Sequence, residues 1–278
     1  MKPTMLTGLL LIWTCLNPAL AAPPQRVVSL NLCSDQLLLM LADREQVARV
    51  SHLATDPHNS YMATQAQGIP SHRARLEEII AAQPDLILTT PYTSPRLRHS
   101  LEQLGYPLHA LNLGLQPEQI IDDIRSLAER LGQTTRGETL IGEFRRRIAA
   151  PSEPADGPPP SALFLQPRGY TSGRDTLQDQ ALRLAGWRNR AAEMGLEGYV
   201  QADLEQLIAW QPDALVTSPY AAARDSRAER LLSHPALKRL LGGQPLYQVP
   251  YKDWICPGPM LADAVELLRR ARSRTLQP

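Results

Sequence analysis

Two stretches of this sequence decide its fold: "LEEIIAAQPDLILTTPY" at residues 76–92 and "LEQLIAWQPDALVTSPY" at residues 204–220. Ten of the 17 aligned positions are identical, at a constant separation of 128 residues. In each copy a proline closes a short helical run, and a run of branched apolar residues follows. This pattern predicts a helix, a turn and a buried strand. The chain therefore uses the same unit twice, once in each half.

The segments around each copy continue the alternation of strand and helix. Short apolar strands that alternate with helices are typical of parallel sheets built from βαβ units. Helices predicted over 118–131 and 134–150 lie between the two halves, and the proline-rich stretch "PSEPADGPPPS" follows them at 151–161. We therefore expect an α/β protein with two Rossmann-like lobes. Their parallel-rich sheets are joined by one long rigid helix, and a ligand cleft lies between the lobes.

The boundaries of these parts follow from shifts in composition. The chain has 278 residues, enough for about two domains of ordinary size. We place a signal peptide at residues 1–22, the N-terminal lobe at 23–132, the helix between the lobes at 133–151 and the C-terminal lobe at 152–278.

The first residues have the three parts of a secretory signal peptide. Lys2 supplies the positive charge, "MLTGLLLIWTCL" the apolar run, and Ala19-Leu20-Ala21 the small-residue cleavage site. The apolar run is too short to span a bilayer comfortably. Lipid attachment at Cys15 is disfavoured because bulky residues precede it. We expect cleavage after Ala21 or Ala22 and an exported, soluble protein.

The cysteine count and the charge of the chain limit its chemistry. Without the signal peptide, Cys33 and Cys256 remain. In an oxidising compartment they would form a disulfide, or else remain two buried free thiols. The formal net charge is +1, and no basic stripe with interleaved aromatic residues occurs, so a nucleic-acid partner is not expected.

The two ends of the repeated unit suggest different roles. Tyr92 and Tyr220 follow the predicted strands, and the carboxyl ends of parallel strands are where ligands bind in such sheets. Either tyrosine could instead anchor its loop on the rim of the sheet. Glu77 and Glu205 lie in the first turns of the matching helices, where the helix dipole stabilises a carboxylate by about 0.3–1 kcal/mol. The alternative is that they are two exposed acidic groups that dock a partner.

Together these features resemble the helical-backbone class of periplasmic binding proteins, which serve ABC importers for iron-siderophores, haem and vitamin B12. The similarity covers nearly the whole mature chain, and "LEEIIAAQPDLIL" is its most specific segment. Phe164–Gln166, Thr171–Gly173 and the Asp253-Trp254 pair are most similar to the vitamin B12-binding members. The resemblance implies that Glu77 and Glu205 dock into arginine pockets of a permease dimer in the inner membrane.

The resemblance also implies how the ligand is held. In the B12-binding members, aromatic side chains from both lobes sandwich the corrin ring. The residues that could supply such faces here are Tyr92, Tyr170, Tyr220 and Trp254, and Asp253 could add a polar contact. We therefore expect a monomer that binds a corrinoid or a ferric chelate as cargo and has no resident cofactor.

Two departures from the family pattern bear on the ligand. The tryptophan that precedes the first Leu-Glu motif in the B12-binding members is missing, and "GIPSHRAR" stands there with His72, Arg73 and Arg75. These basic residues suit an anionic ligand such as a ferric siderophore or haem, or they form a solvated loop. The stretch "NLCSD" places Asn31 and Cys33 where the family loop borders the ligand. If Cys256 also borders the cleft, a disulfide would tie the lobes together.

Two other classes of function are weighed against this one. A zinc- or manganese-binding protein needs about three histidines and a carboxylate that converge, and His52, His58 and His72 with Asp56 are the only candidates. An exported enzyme is disfavoured because G-x-S-x-G, HExxH and CxxC motifs do not occur in the sequence. We therefore predict a binding protein without catalytic activity and without a metal site of its own.

Overall fold

The computed structural model describes residues 22–149, 158–218, 235 and 246–276. The predicted signal peptide, apart from Ala22, lies outside these residues, and so does Tyr220. Among the described residues, no helix is both long enough and apolar enough to span a membrane.

The N-terminal lobe is a five-stranded parallel sheet with helices packed on it. Its strands are β1 Val27–Ser29, β2 Val47–Ser51, β3 Ser71–His72, β4 Leu86–Thr89 and β5 Leu108–Ala110. Its helices are α1 Leu32–Leu41, α2 Leu76–Ile80, α3 Pro95–Gln103 and α4 Pro117–Leu131. The strand order is β3-β2-β1-β4-β5, and all neighbours run parallel. The chain reverses its direction of winding between β1 and β4, so the loops after these two strands diverge and leave a crevice.

The C-terminal lobe repeats this plan on a smaller scale. Its strands are β6 Ser161–Phe164, β7 Tyr170–Ser172, β8 Arg188–Asn189, β9 Tyr199–Gln201, β10 Ala214–Thr217 and β11 Tyr247–Gln248. Its helices are α6 Leu177–Leu184, α7 Arg190–Glu193, α8 Leu204–Trp210 and the C-terminal helix α9 Leu261–Leu276. The parallel sheet has the order β11-β10-β6-β8, and β7 pairs with β9 as a separate antiparallel ribbon.

The helix between the lobes is α5, Thr134–Ile148, which packs along α4. The two helices approach closely because Gly137 faces Ala128, whose Cβ would lie 2.4 Å from any Cβ added to the glycine. The last turn of α5 is held by Arg269 of α9, whose guanidinium donates to the carbonyl oxygens of Arg147 and Ile148. A cation at a helix C-terminus is favoured by the helix dipole. The predicted two-lobed α/β architecture is confirmed.

The repeated unit has the same backbone turn in both lobes. Gln83 and Gln211, which correspond across the separation of 128 residues, both have left-handed backbone conformations, with φ of 47° and 44°. A proline follows each of them, and proline disfavours the right-handed helical conformation in the residue before it. The turn therefore falls at the same point in both copies, and the strands begin at corresponding residues, Leu86 and Ala214. The helix before it ends at Ile80 in the first copy and two positions later, at Trp210, in the second.

The aspartate of each "QPD" motif fastens its strand to the first strand of its lobe. Asp85 accepts hydrogen bonds from the backbone N–H groups of Gln25 and Arg26, at 2.7 and 2.9 Å. Asp213 accepts one at 2.6 Å from the backbone N–H of Ser161. Because a carboxylate that accepts backbone N–H bonds compensates donors at the start of a strand, the repeated aspartate has a structural role.

Besides α5, contacts between described residues hold the lobes together, among them a disulfide and a hydrogen bond. A disulfide joins Cys33 of α1 to Cys256, which precedes α9, with the two Cα atoms 5.2 Å apart. Close by, the hydroxyl of Tyr61 in the N-terminal lobe donates to the carboxylate of Asp263 in α9 at 2.5 Å. Arg147, at the end of α5, pairs with the same carboxylate. The cysteines are therefore bonded to each other, and the disulfide crosses between the lobes.

Candidate functional site

A cavity of about 430 Å³ lies between the lobes, at the carboxyl ends of their strands. We call it the interlobe cavity. Its lining residues are Tyr92, Phe164, Gln166, Tyr170, Thr171, Ser172, Gln178, Tyr199, Tyr251 and Ile255. Tyr92 follows β4 in the N-terminal lobe, and the other residues come from the C-terminal lobe. The volume lies within the range of small-molecule sites.

Tyrosine side chains dominate the wall of this cavity. Tyr92, Tyr170 and Tyr199 have 78%, 44% and 64% of their surface exposed. Large hydrophobic side chains that remain this exposed and converge on one cavity mark a binding surface. Tyrosine offers a ring face for stacking and a hydroxyl for hydrogen bonding. Among the described residues, the lining contains no Asp, Glu, Lys, Arg or His, so this wall suits a flat, largely uncharged surface.

Two buried polar atoms of the lining have no hydrogen-bond partner in the described part of the chain. They are the side-chain oxygens of Gln166 and Ser172. Other polar groups of the wall are paired, because the hydroxyl of Tyr199 donates to Gln178 Oε1 at 2.8 Å and that of Thr171 to the carbonyl of Phe164 at 2.6 Å. An unpaired buried polar atom costs about 1–3 kcal/mol, and both oxygens lie behind the surface of the wall, where they are inaccessible to solvent.

A second cavity, of about 550 Å³, opens beside the first in the N-terminal lobe. We call it the N-lobe cavity. It shares Tyr92 with the interlobe cavity and lies at the crevice between the loops after β1 and β4. Charged and polar side chains border it. These side chains include Asn31, Arg75, Glu77, Thr93, Ser94 and Arg96.

The four predicted aromatic ligand residues and Asp253 separate into three groups. Tyr92 and Tyr170 line the interlobe cavity, as expected from the sheet geometry and from the family resemblance respectively. Tyr220 is not among the described residues. The expectations for Trp254 and Asp253 are wrong in this structure, because both side chains are buried beneath the cavity and do not line it.

The burial of Trp254 has a clear physical basis. Its ring is 1% exposed and packs edge-to-face on Phe164, with centroids 4.9 Å apart. Its indole N–H donates to the hydroxyl of Ser218 at 2.6 Å. Asp253 is buried next to it, and desolvation, followed by the nearby charge of Asp263, raises the pKa of Asp253 to about 6. Trp254 thus supports Phe164, which does line the cavity.

Asn31 and Arg73 do not reach the interlobe cavity. Asn31 borders the N-lobe cavity as the N-cap of α1, where its side-chain oxygen accepts from the backbone N–H groups of Cys33 and Ser34 and its amide N–H donates to Thr90. The amide is therefore already committed to capping the helix. Arg73 is exposed and lines neither cavity, whereas Arg75, two residues later, borders the N-lobe cavity.

Glu77 and Glu205 occupy matching places in the two lobes. Each is exposed and stands second in its helix, α2 or α8. Neither forms an ion pair with another described residue, so both carboxylates face solvent. Their role in docking stays a prediction.

Tyr199 and Tyr251 are lining residues that the sequence reasoning missed. A signal for Tyr251 was present, because Pro250-Tyr251 follows β11 in the way that Pro91-Tyr92 follows β4. Tyr199 starts β9, which pairs with β7 in a ribbon too short to give a hydrophobic period. It could not have been found from spacing alone.

The histidines do not converge on a metal site. His72 is buried, with Nε2 at 2.7 Å from the carbonyl of Ser29 and Nδ1 accepting from the backbone N–H of Ala74 at 2.9 Å. Burial lowers the pKa of His72, so the neutral ring is favoured. Within the described ranges, no group of three or more His, Cys, Asp or Glu side chains is arranged to hold a metal ion.

A buried carboxyl lies in α1, close in sequence to the disulfide. Asp35 is fully buried and accepts hydrogen bonds from the backbone N–H of Ser51, at 3.1 and 3.2 Å, and from the Ser51 hydroxyl. Desolvation raises the pKa of Asp35 to about 7, although these hydrogen bonds oppose the rise. The side chain therefore changes its charge near neutral pH.

Comparison with known proteins places this site in context. The family model described as "Periplasmic binding protein" matches residues 27–241. A cobalamin-binding protein of Halobacterium salinarum is 25% identical over 224 residues, 79% of this chain and 61% of that protein. A vitamin B12-binding protein of Vibrio campbellii is 27% identical over 211 residues, 73% of this chain and 74% of that protein. The solved periplasmic haem-binding protein RhuT from Roseiflexus sp. RS-1 superposes with a TM-score of 0.76 at 26% identity, covering 91% of this chain and 99% of that one.

Proposed function

We propose that this chain, which belongs to the periplasmic binding protein family, is the solute-binding component of an ABC importer and holds a flat metal macrocycle or ferric chelate between its lobes. The observation that carries the proposal is the interlobe cavity, whose wall is formed by exposed tyrosines from both lobes. Because the wall has contributions from each lobe, a ligand there is enclosed by both.

The chemistry of the wall supports a ligand with a broad conjugated ring system. Aromatic side chains stack on such rings and add about 0.5–1.5 kcal/mol per pair beyond the burial of area. The hydroxyls of the exposed tyrosines would form hydrogen bonds with amide groups at the edge of the ring. Side-chain amides are a feature of corrinoids, so a corrinoid suits this wall best.

The similar proteins favour the same class of ligand. The relatives from Halobacterium salinarum and Vibrio campbellii are named for cobalamin and vitamin B12, and the Roseiflexus structure is named for haem. Vitamin B12 is a cobalamin, so these names give two classes of ligand, corrinoid and haem, and both are flat macrocycles around a metal ion. Corrinoid, haem and ferric siderophore are therefore the ligands to be compared directly, with the corrinoid expected to bind most tightly.

Delivery to a permease dimer is the second half of the proposal. Glu77 and Glu205 are exposed at equivalent positions in the two lobes, so they present two carboxylates to a partner with two basic pockets. A dimeric permease would supply those pockets by its own symmetry. The binding protein itself is expected to act as an exported, periplasmic monomer.

Fluorescence titration tests the ligand assignment. Trp254 contacts Phe164 of the cavity wall, so a bound chromophore is expected to quench its emission. The protein is titrated with cyanocobalamin, haemin and a ferric hydroxamate, and saturable quenching by at least one is expected. The proposal fails if none of the three binds.

A pair of substitutions at one tyrosine tests the stacking role. Tyr199→Ala should weaken binding about tenfold, because it removes a ring face from the wall. Tyr199→Phe is the matched control, since it keeps the ring and removes only the hydroxyl that bonds Gln178. Equal losses in the two variants would show that the hydroxyl, and not the ring, holds the ligand.

A further inference from the structure

The two neighbouring cavities differ in charge. Within the described residues, the lining of the interlobe cavity has no charged side chain, whereas the N-lobe cavity is bordered by Arg75 and Arg96 with Glu77 as its single carboxylate. Tyr92 lines both cavities, so they adjoin at that side chain. A ligand whose ring stacks on Tyr92 can therefore extend a substituent into a region with excess positive charge.

The two arginines are not committed to structural ion pairs. Both are exposed, and across the described residues neither forms an ion pair with a carboxylate. In contrast, Arg125, Arg136 and Arg147 pair with carboxylates at 3.0 Å or less. The charge of Arg75 helps to lower the pKa of the neighbouring Glu78, after the hydrogen bond from the Arg73 backbone N–H, but no ion pair joins the two side chains. Both guanidinium groups beside the N-lobe cavity therefore keep donors for an incoming anion.

The start of α3 adds to the positive potential of this cavity. Its first turn contains no acidic residue, and the side chain of its N-cap, Ser94, makes no capping hydrogen bond. The cavity is also bordered by the hydroxyls of Thr93 and Ser94. Arginine, hydroxyl donors and a helix N-terminus are groups that bind carboxylate and phosphate oxygens.

We infer that the N-lobe cavity is an anion subsite, which binds a carboxylate or phosphate substituent of the ligand while its ring occupies the interlobe cavity. This inference rests on the proposed function, because it assigns the second half of the same ligand. The guanidinium groups of Arg75 and Arg96 would hold the anion by two-pronged hydrogen bonds. The subsite would thus select among macrocycles that present the same ring but differ in their charged appendages.

Two pairs of ligands test the subsite, each with and without the anion. Cyanocobalamin carries a phosphodiester that dicyanocobinamide lacks, and haemin carries two carboxylates that its dimethyl ester lacks. Affinities are measured by fluorescence titration for the wild type and for Arg75→Gln with Arg96→Gln. The expected result is a loss of about tenfold for the anionic member of a pair and less than about twofold for its neutral counterpart.

The control is Arg98→Gln, which removes one positive charge from α3, the helix that also carries Arg96. Arg98 is exposed but borders neither cavity. This variant should bind both members of each pair as the wild type does. In about 0.5 M salt the effect of the double variant should shrink, because exposed charges are then screened.

The remaining outcomes distinguish a failure of the anion subsite from a failure of the proposed function. If the neutral ligands bind the wild type and the double variant weakens both members equally or neither, the anion subsite is refuted and the binding function stands. The subsite is also refuted if Arg98→Gln reproduces the loss, because long-range attraction between the positive charges of the lobe and the anionic ligand would then explain it. If no member of either pair binds the wild type, the proposed function itself fails. Selective loss for cyanocobalamin assigns a phosphate, and selective loss for haemin assigns carboxylates.

Discussion

The disulfide between Cys33 and Cys256 offers a direct test of how the lobes are held together. The two residues are 223 positions apart in the sequence, and the bond crosses from α1 to the segment before α9. We consider three variants, Cys33→Ala, Cys256→Ala and the double substitution, each compared with the oxidised wild type. All three break the same cross-link.

The length of the closed loop sets the expected effect. A cross-link lowers the entropy of the unfolded chain by an amount that grows with the logarithm of the loop length, which for a loop of this size corresponds to about 5 kcal/mol at 25 °C. Removing a sulfur from the buried Cys256 adds about 1 kcal/mol at most, because the volume lost is small. Loss of the cross-link should therefore dominate, and each variant should lose a similar amount.

Urea unfolding followed by circular dichroism measures the free energy of unfolding and its dependence on urea concentration. The oxidised wild type should unfold at higher urea and with a smaller dependence of the unfolding free energy on urea concentration, because its unfolded chain stays more compact. The double variant should lose about as much stability as each single one, since the cross-link can be lost only once. Losses below about 1 kcal/mol that add in the double variant would refute the reasoning.

Three further predictions follow from buried and exposed groups. Trp254→Ala should lower the free energy of unfolding by about 3–5 kcal/mol because it empties a core position, and a loss below about 1 kcal/mol in urea unfolding would contradict that placement. The pKa of Asp35 is about 7 in the folded state against 3.8 for an unperturbed aspartate, so its contribution to stability is present below about pH 4 and is lost as the pH rises to about 7. Relative to Asp35→Asn, the wild type should lose up to about 4 kcal/mol across that window in urea unfolding, and parallel pH profiles would argue against it. Because Glu77 borders the N-lobe cavity, its effect on binding is measured with a ligand that has no anionic substituent. Glu77→Ala combined with Glu205→Ala should abolish ligand uptake in cells and leave the affinity for that ligand within about twofold, whereas Glu118→Ala, at an exposed first-turn position of α4, should change neither. A loss of affinity in the double variant would place these carboxylates in contact with the ring of the ligand.

The fold could be predicted from the sequence because its signals are local and repeated. The Gln-Pro-Asp turn in each copy fixes where a helix ends and a strand begins, and the buried positions follow the same alignment. Ile79 and Ile87 of the N-terminal lobe correspond to Leu207 and Leu215 of the C-terminal lobe, and all four are fully or almost fully buried. Two copies of the pattern therefore predict the helix, the turn and the strand more reliably than a single copy would.

The binding site was less predictable because it depends on which face of a loop a side chain occupies. Tyr92 could be placed from the end of a strand, since sheet geometry alone brings it to the edge of the sheet. Trp254 could not, because its near neighbours in sequence, Tyr251 and Ile255, line the cavity while its own ring turns inward to Phe164. Sequence spacing in an irregular segment does not distinguish these two directions.

The segment from Tyr251 to Cys256 contributes both to the wall of the interlobe cavity and to the covalent connection between the lobes. Tyr251 and Ile255 line the interlobe cavity, and Cys256, next in sequence, is bonded to α1 of the other lobe. Because the disulfide holds this stretch against the N-terminal lobe, the lobes cannot separate there without moving the cavity wall itself. The exposed tyrosines of the wall carry no such covalent tie. We therefore expect ligand entry to rearrange these tyrosines, while the segment from Tyr251 to Cys256 stays fixed and supplies the part of the wall that is already formed before the ligand arrives.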